Sequence, residues 1–233
     1  METNTSKIRT GNAAKRIGVL LIFAVALTLG VWFQLGPELR RPKAVQADLA
    51  FQFIPAMDLA SLPLATRFDF PLGSEHGGFA YNAQPFTVNR HLGDDLNGIG
   101  GENSDRGDPI YAVANGRVIF AEEGGPGWGN VIIVEHAYVE NAKRNYVQSY
   151  YAHCEEIQVE RGQFVHRGEQ IATVGTADGK YLAHLHFEMR EFTTPFVGAG
   201  YRQDTRGWLN PSDFIAAHRG AADDDVGRPV PVD

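Results

Sequence analysis

Ala183-His184-Leu185-His186-Phe187-Glu188-Met189-Arg190 is the stretch from which the fold can be read. Extended, it puts Leu185, Phe187 and Met189 on one face and His184, His186, Glu188 and Arg190 on the other, because successive side chains of a strand alternate. One face is set to pack on an apolar core and the other to line something polar. Working outward, similar short runs recur between glycines: Gly116-Arg-Val-Ile-Phe-Ala121, Asn130-Val-Ile-Ile-Val-Glu135, Gln148-Ser-Tyr-Tyr-Ala-His153, Gly162-Gln-Phe-Val-His-Arg-Gly168 and Glu169-Gln-Ile-Ala-Thr-Val-Gly175. Several short strands at close spacing predict a mainly β domain, a strongly twisted antiparallel sheet or sandwich. Pro211 to His218 reads as one short helix.

The 233 residues suffice for one good-sized core or two small ones. A net charge of −7 gives no global attraction for nucleic acid, so no nucleic-acid partner is expected. The single cysteine, Cys154, excludes an intramolecular disulfide and reads as a small semi-buried residue rather than a nucleophile.

Ile17 to Pro37 carries no charge. As a helix rising about 1.5 Å per residue, such a run reaches about 30 Å, the hydrocarbon thickness of a bilayer. Lys15 and Arg16 precede it, and Trp32 and Phe33 lie near its far end. The expectation is a single-pass transmembrane helix contacting the lipid bilayer, with the bulk of the chain on the extracytoplasmic side of the cell membrane. Val45-Gln-Ala47 could be a signal-peptide cleavage site, but it stands far from the apolar run. The chain then divides into a cytoplasmic tail (1–16), an anchor (17–37), a linker (38–66), an exported domain (67–216) and a disordered acidic tail (217–233).

The chemistry-bearing residues lie in the exported domain. In His91-Leu-Gly-Asp-Asp95, a straight strand would hold His91 and Asp95 about 13 Å apart, too far to share an ion. A helix is disfavoured by Gly93, Asp94-Asp95 and Asn97-Gly98, which leaves a bend at Gly93. His184 and His186 share a strand face, and spacing alone leaves open which of them is a ligand. His153 ends the run that starts at Ser149. Histidines and a carboxylate in this spacing suit one zinc ion with an open coordination position, as a metal hydrolase requires. His136 and His166 read as structural or solvated, His76 as part of a loop near the cleft, and His218 as part of the tail region.

The segments His91-x-Gly93-x-Asp95, Tyr151-Ala-His153, Gly162-Gln-x-Val165-x-x-Gly168, His184-Leu-His-Phe-Glu188, Leu209-Asn-Pro211 and Phe214-Ile215 follow one another in that order. Across the exported domain the chain resembles the lysostaphin/LytM-type zinc endopeptidases, which cut peptide bonds in bacterial cell-wall peptidoglycan. The resemblance implies that His91, Asp95 and His186 hold one Zn2+ and that His153 and His184 are catalytic at its open side. It implies peptidoglycan stem peptides or cross-bridges as substrate. The alternative is a non-catalytic module that activates another cell-wall hydrolase, with a protein regulator as partner. Glu188 is a candidate to orient a ligand histidine. Tyr81 is only a loose match to the family's upstream tyrosine. The link from Leu96 to Asp108 is longer and richer in glycine than the family's usual one, and is expected to border the cleft.

Overall fold

The computed structural model describes residues 54–73, 80–192 and 194–219. The anchor expected at 17–37, His76 and the tail beyond Arg219 lie outside the described residues. No helix among the described residues is long and apolar enough to cross a membrane.

The elements run α1 (Ala56–Ala60), β1 (Leu64–Ala65), β2 (Ala80–Gln84), β3 (Asp94–Gly98), β4 (Pro109–Tyr111), β5 (Gly116–Glu123), β6 (Asn130–Glu140), β7 (Lys143–Ile157), β8 (Phe164–Val165), β9 (Gln170–Val174), β10 (Leu185–Arg190), β11 (Trp208–Leu209) and α2 (Pro211–His218). The strands form one sheet whose main path is β2-β3-β10-β7-β6-β5-β8. The pairings along that path are antiparallel, and β1 joins β6 in parallel.

The longest strands, β6 and β7, make a hairpin that extends well past the apolar runs seen in the sequence. Glu140 pairs with Lys143, and the two loop residues Asn141 and Ala142 have φ of 53° and 59°. Two successive positive φ values match the right-handed twist of the flanking strands, which is why this turn closes a tight hairpin. At the other end, β3 forms although Asp94-Asp95 and Asn97-Gly98 favour turns. Asp94 is buried there, accepting from Phe86 N at 2.9 Å and Ser212 Oγ at 2.6 Å, so its burial is compensated by hydrogen bonds.

Most of the apolar core lies on one side of the sheet. Leu185, Phe187 and Met189 of β10 enter it together with Tyr151, Ile132, Val134 and Ile171. Helix α2 contributes Phe214 and Ile215; its N-terminus is capped by Asn210, which accepts from Asp213 N at 3.2 Å, and begins with Pro211. Leu62, Ala65 and Phe68, in the stretch leading into the domain, are buried too. The other side of the sheet carries a smaller cluster of Val131, Ile133, Tyr150 and Ala152. His186, Glu188 and Arg190 share that side, and all of β10 is buried. The polar face of β10 is therefore enclosed rather than open to water, and its charges have to be paired.

Candidate metal centre

Register assembles the site. His186 on β10 lies opposite Asp95 on β3 and opposite Ala152 on β7, so Asp95 and His186 are cross-strand neighbours on one face. His91 arrives from the chain just before β3. Left-handed Asn89 and Arg90 turn the backbone, His91 itself is extended, and the chain bends at Leu92-Gly93. Gly93 is required there: a Cβ would stand 2.4 Å from the carbonyl oxygen of Phe187.

The result is a tight triangle. His91 Nε2 is 2.9 Å from His186 Nδ1, His186 Nδ1 is 3.0 Å from Asp95 Oδ1, and Asp95 Oδ1 is 3.1 Å from His91 Nε2. Among the described residues this is the one group of His, Cys, Asp and Glu side chains whose donor atoms could hold a metal ion, all lying within 4.8 Å of one another. Tetrahedral zinc with bonds of about 2 Å spaces its ligand atoms about 3.3 Å apart, so the donors need only a small expansion to fit it.

The remaining ring nitrogens are anchored. His91 Nδ1 donates to Gln84 O at 3.0 Å. His186 Nε2 donates to Glu188 Oε1 at 2.8 Å, and Glu188 Oε2 accepts from Arg190 Nε at 2.5 Å and Trp208 Nε1 at 2.6 Å. Arg190 lies 3.8 Å from the centroid of the Tyr150 ring and donates to Phe196 O and Val197 O. Such outer contacts fix ring orientation at a metal centre. Burial disfavours charge on His186, but the hydrogen bonds to Asp95 and Glu188 outweigh it and raise its pKa to about 9. Burial likewise opposes ionisation of Asp95, yet its bonds to His186 and His91 hold the carboxyl far below the usual carboxylate range.

His153 and His184 flank the triangle. His184 Nε2 is 3.7 Å from Asp95 Oδ1, and the His153 ring centroid is 4.7 Å from that of His184 and 5.6 Å from that of His186. His153 does not end its strand; it sits inside β7 at a bulge, with φ of 64°. Bulges next to active sites re-aim side chains, and a non-glycine residue held at positive φ is strain of the kind found at functional positions. Both rings give Nδ1 to the main chain, His153 to Trp128 O at 3.0 Å and His184 to Leu182 O at 2.8 Å. Burial, then repulsion from His186 and His184, lowers the His153 pKa to about 3.

A cleft of about 360 Å³ opens onto these residues, walled also by Gln84, Trp128, Lys180, Tyr181 and Tyr201. None of its lining residues comes from 96–108, contrary to expectation: that link turns back on the fold, Asp105 accepting from Gly98 N at 3.1 Å and Asn103 from Ala183 N at 2.8 Å. Tyr81 lies exposed on β2, and the tyrosine beside His91 is Tyr201, with ring centroids 5.1 Å apart. Trp128 had a sequence signal, a lone aromatic within Gly124-Gly-Pro-Gly-Trp-Gly129. Tyr201 had none, since a bridge between His91 and Tyr201 brings it in.

A His-Asp-His triangle on a twisted antiparallel sheet, with two further histidines beside it, is an arrangement that could hold one metal ion next to groups able to move protons. The chain belongs to peptidase family M23, whose sequence pattern matches residues 96–197. Lipoprotein NlpD of Yersinia enterocolitica is 40% identical over 85 residues, 36% of this chain and 79% of that protein. The murein hydrolase activator NlpD of Escherichia coli is 39% identical over 85 residues, 36% of this chain and 20% of that protein. The peptidoglycan DD-endopeptidase ShyB of Vibrio cholerae is 35% identical over 83 residues, 36% of this chain and 18% of that protein. The match thus spans only about a fifth of the last two relatives.

Proposed function

We propose that this chain is a zinc endopeptidase that hydrolyses peptide cross-links of bacterial cell-wall peptidoglycan, held in the cell envelope by the apolar segment 17–37. The observation that carries the reading is the convergence of His91, Asp95 and His186 within 4.8 Å, with His153 and His184 beside them in an open cleft. The name of ShyB, a peptidoglycan endopeptidase, supports the substrate class, and the lipoprotein relative supports an envelope location.

In this reading His91 Nε2, Asp95 Oδ1 and His186 Nδ1 hold the ion. Zinc supplies Lewis acidity, polarising the scissile carbonyl and acidifying water. Gln84 O and Glu188 keep the two ligand rings oriented. His153 and His184 have Nδ1 committed to carbonyl oxygens, so Nε2 of each is the ring atom that accepts a proton, stabilises developing negative charge or delivers a proton to the leaving amine. Trp128, Tyr181 and Tyr201 restrict the approach of bulk water and give the peptide backbone a surface to lie on.

The test is digestion of peptidoglycan sacculi by the zinc-loaded protein, followed by chromatography of released muropeptides and assay of new amines. His184→Ala should lower turnover by about 10²–10⁴, and His186→Ala should abolish stoichiometric zinc. Wild-type turnover by His184→Ala would refute the reading. The Escherichia coli relative, named as a murein hydrolase activator, supports a second reading. An activator would release muropeptides only with a second hydrolase present, and His184→Ala would leave that stimulation intact.

A further inference from the structure

On the same side of the sheet as the triangle, a second and larger cavity of about 520 Å³ takes no part in the chemistry above. Glu135 of β6 lines it, with a side chain that is wholly buried. Glu135 Oε2 accepts from Gln148 Nε2 at 2.8 Å, and the same nitrogen donates to Thr194 O at 3.1 Å. Glu135 Oε1 and Gln148 Oε1 have no partner. Two buried oxygens with no hydrogen-bond partner are an arrangement that folding alone disfavours.

Among the described residues no cation is hydrogen-bonded to them. Burial pushes the Glu135 carboxyl up to about 8, opposed only by the Gln148 hydrogen bond. Arg117, on the cavity wall, is committed to Asp58 at 3.2 Å and to Gly162 O at 3.2 Å. Arg161 is exposed. Apolar walls come from Phe120, Pro195, Phe196 and Val197. Arg190 pins the last two of these through their carbonyls, so this wall is preformed. Glu135 belongs to no group of three or more His, Cys, Asp or Glu side chains that could hold a metal ion; the one such group among the described residues is at His91, Asp95 and His186.

We propose that this cavity binds a lysine or arginine side chain presented by a polypeptide, its cationic head on Glu135 and its aliphatic stem along Phe120 and Phe196. An ammonium or guanidinium offers several donors and no acceptor, and a donor is what the bare Glu135 oxygen lacks. A long methylene stem suits the apolar walls, as such stems do along apolar surfaces elsewhere. The inference stands independently of the peptidase reading.

Zinc-loaded full-length protein in detergent, titrated with acetyl-Ala-Lys-Ala-amide and with its arginine and norleucine analogues, tests it by amide NMR shifts. The two basic peptides should perturb residues 117–122, 196 and 197 and bind at least about tenfold more tightly than the norleucine peptide, as one charge-assisted hydrogen bond requires. Glu135→Gln should erase that preference. Equal binding of the norleucine peptide, shifts confined to residues 177–184 at the metal cleft, an unchanged preference in Glu135→Gln or no binding at all would each overturn the proposal. The three peptides on the unaltered protein decide the matter even if the variant folds poorly.

Discussion

On β10, Glu188 accepts from His186, Arg190 and Trp208; on β6, Glu135 accepts from Gln148 alone and keeps one oxygen with no donor. Both carboxylates are fully buried, on the same side of one sheet. Their acidities nevertheless diverge. Burial opposes ionisation of Glu188, but the Arg190 charge and the His186 contact outweigh it and lower its pKa, whereas Glu135 is left to burial and rises to about 8. Burial sets the size of the stakes, and the partners decide which protonation state wins.

Breaking the satisfied end should have the largest effect. Glu188→Gln leaves Arg190 buried without its counter-charge and weakens the acceptor of His186. The expected loss is about 3–5 kcal/mol of stability and about 10–100-fold in zinc affinity. Urea unfolding of the metal-free protein and competition with a chromophoric chelator read the two separately. A variant within about 1 kcal/mol of wild type would mean that Glu188 and Arg190 are not coupled as their geometry requires.

The unsatisfied end should respond to pH instead. The folded pKa of Glu135 lies above its unfolded value, so the fold prefers the protonated acid. That contribution is fully present below about pH 4.5 and is lost as pH rises through about 8. Glu135→Gln removes the group that must ionise. Relative to the variant, the wild type should lose a few kcal/mol between pH 5 and pH 9, measured as the difference between their urea midpoints. Parallel curves would show that Glu135 already has a partner.

Its sequence neighbour His136 points to the opposite side of β6 and sharpens the contrast. Nδ1 donates to Asn115 O at 2.9 Å, and Nε2 lies 2.7 Å from Ser149 Oγ, so the neutral ring is satisfied. Burial lowers its pKa to about 4 against a weaker opposing bond to Asn115. A base whose folded pKa is depressed stabilises fully above its unfolded value near 6.5 and loses that contribution as pH falls through about 4. His136→Gln should therefore flatten the acid limb of the stability profile by about 3 kcal/mol. An unchanged limb would place the acid sensitivity elsewhere.

Much of this was legible beforehand, for physical reasons. The alternation in Leu185–Arg190 and the β-branched runs of β5, β6 and β9 report directly on a pleated, half-apolar sheet. The residues of the triangle were named from motif and resemblance, and the register of β3 against β10 brings them together. The ends of β6 and β7 were not visible, because Asn141-Ala142 is not a strong hairpin pair and only tertiary pairing forces both residues to positive φ. Strand β3 was hidden by residues that favour turns until Phe86 and Ser212 satisfy Asp94. Glu135 read as the end of a β run. A missing partner is a property of three-dimensional surroundings and leaves no trace in the chain.

The smallest effect is expected at Cys154, which lies next to His153 on β7 yet faces the main core. A thiol beside a histidine in an open cleft would offer a nucleophile in competition with the metal-assisted route. Here the side chain is buried, and burial pushes its pKa up to about 12, so thiolate is scarce at neutral pH. Its thiol makes a long hydrogen bond to Tyr151 O, at 3.9 Å, and otherwise packs in the apolar core. Cys154→Ala should therefore change peptidoglycan turnover by less than about twofold, since the residue acts as a small apolar filler. The native protein should resist iodoacetamide until urea unfolds it. Rapid alkylation of the folded protein with loss of turnover would instead put the reactive group on the core side of β7, and the division between a chemical face and a packing face of this sheet would fail at its centre.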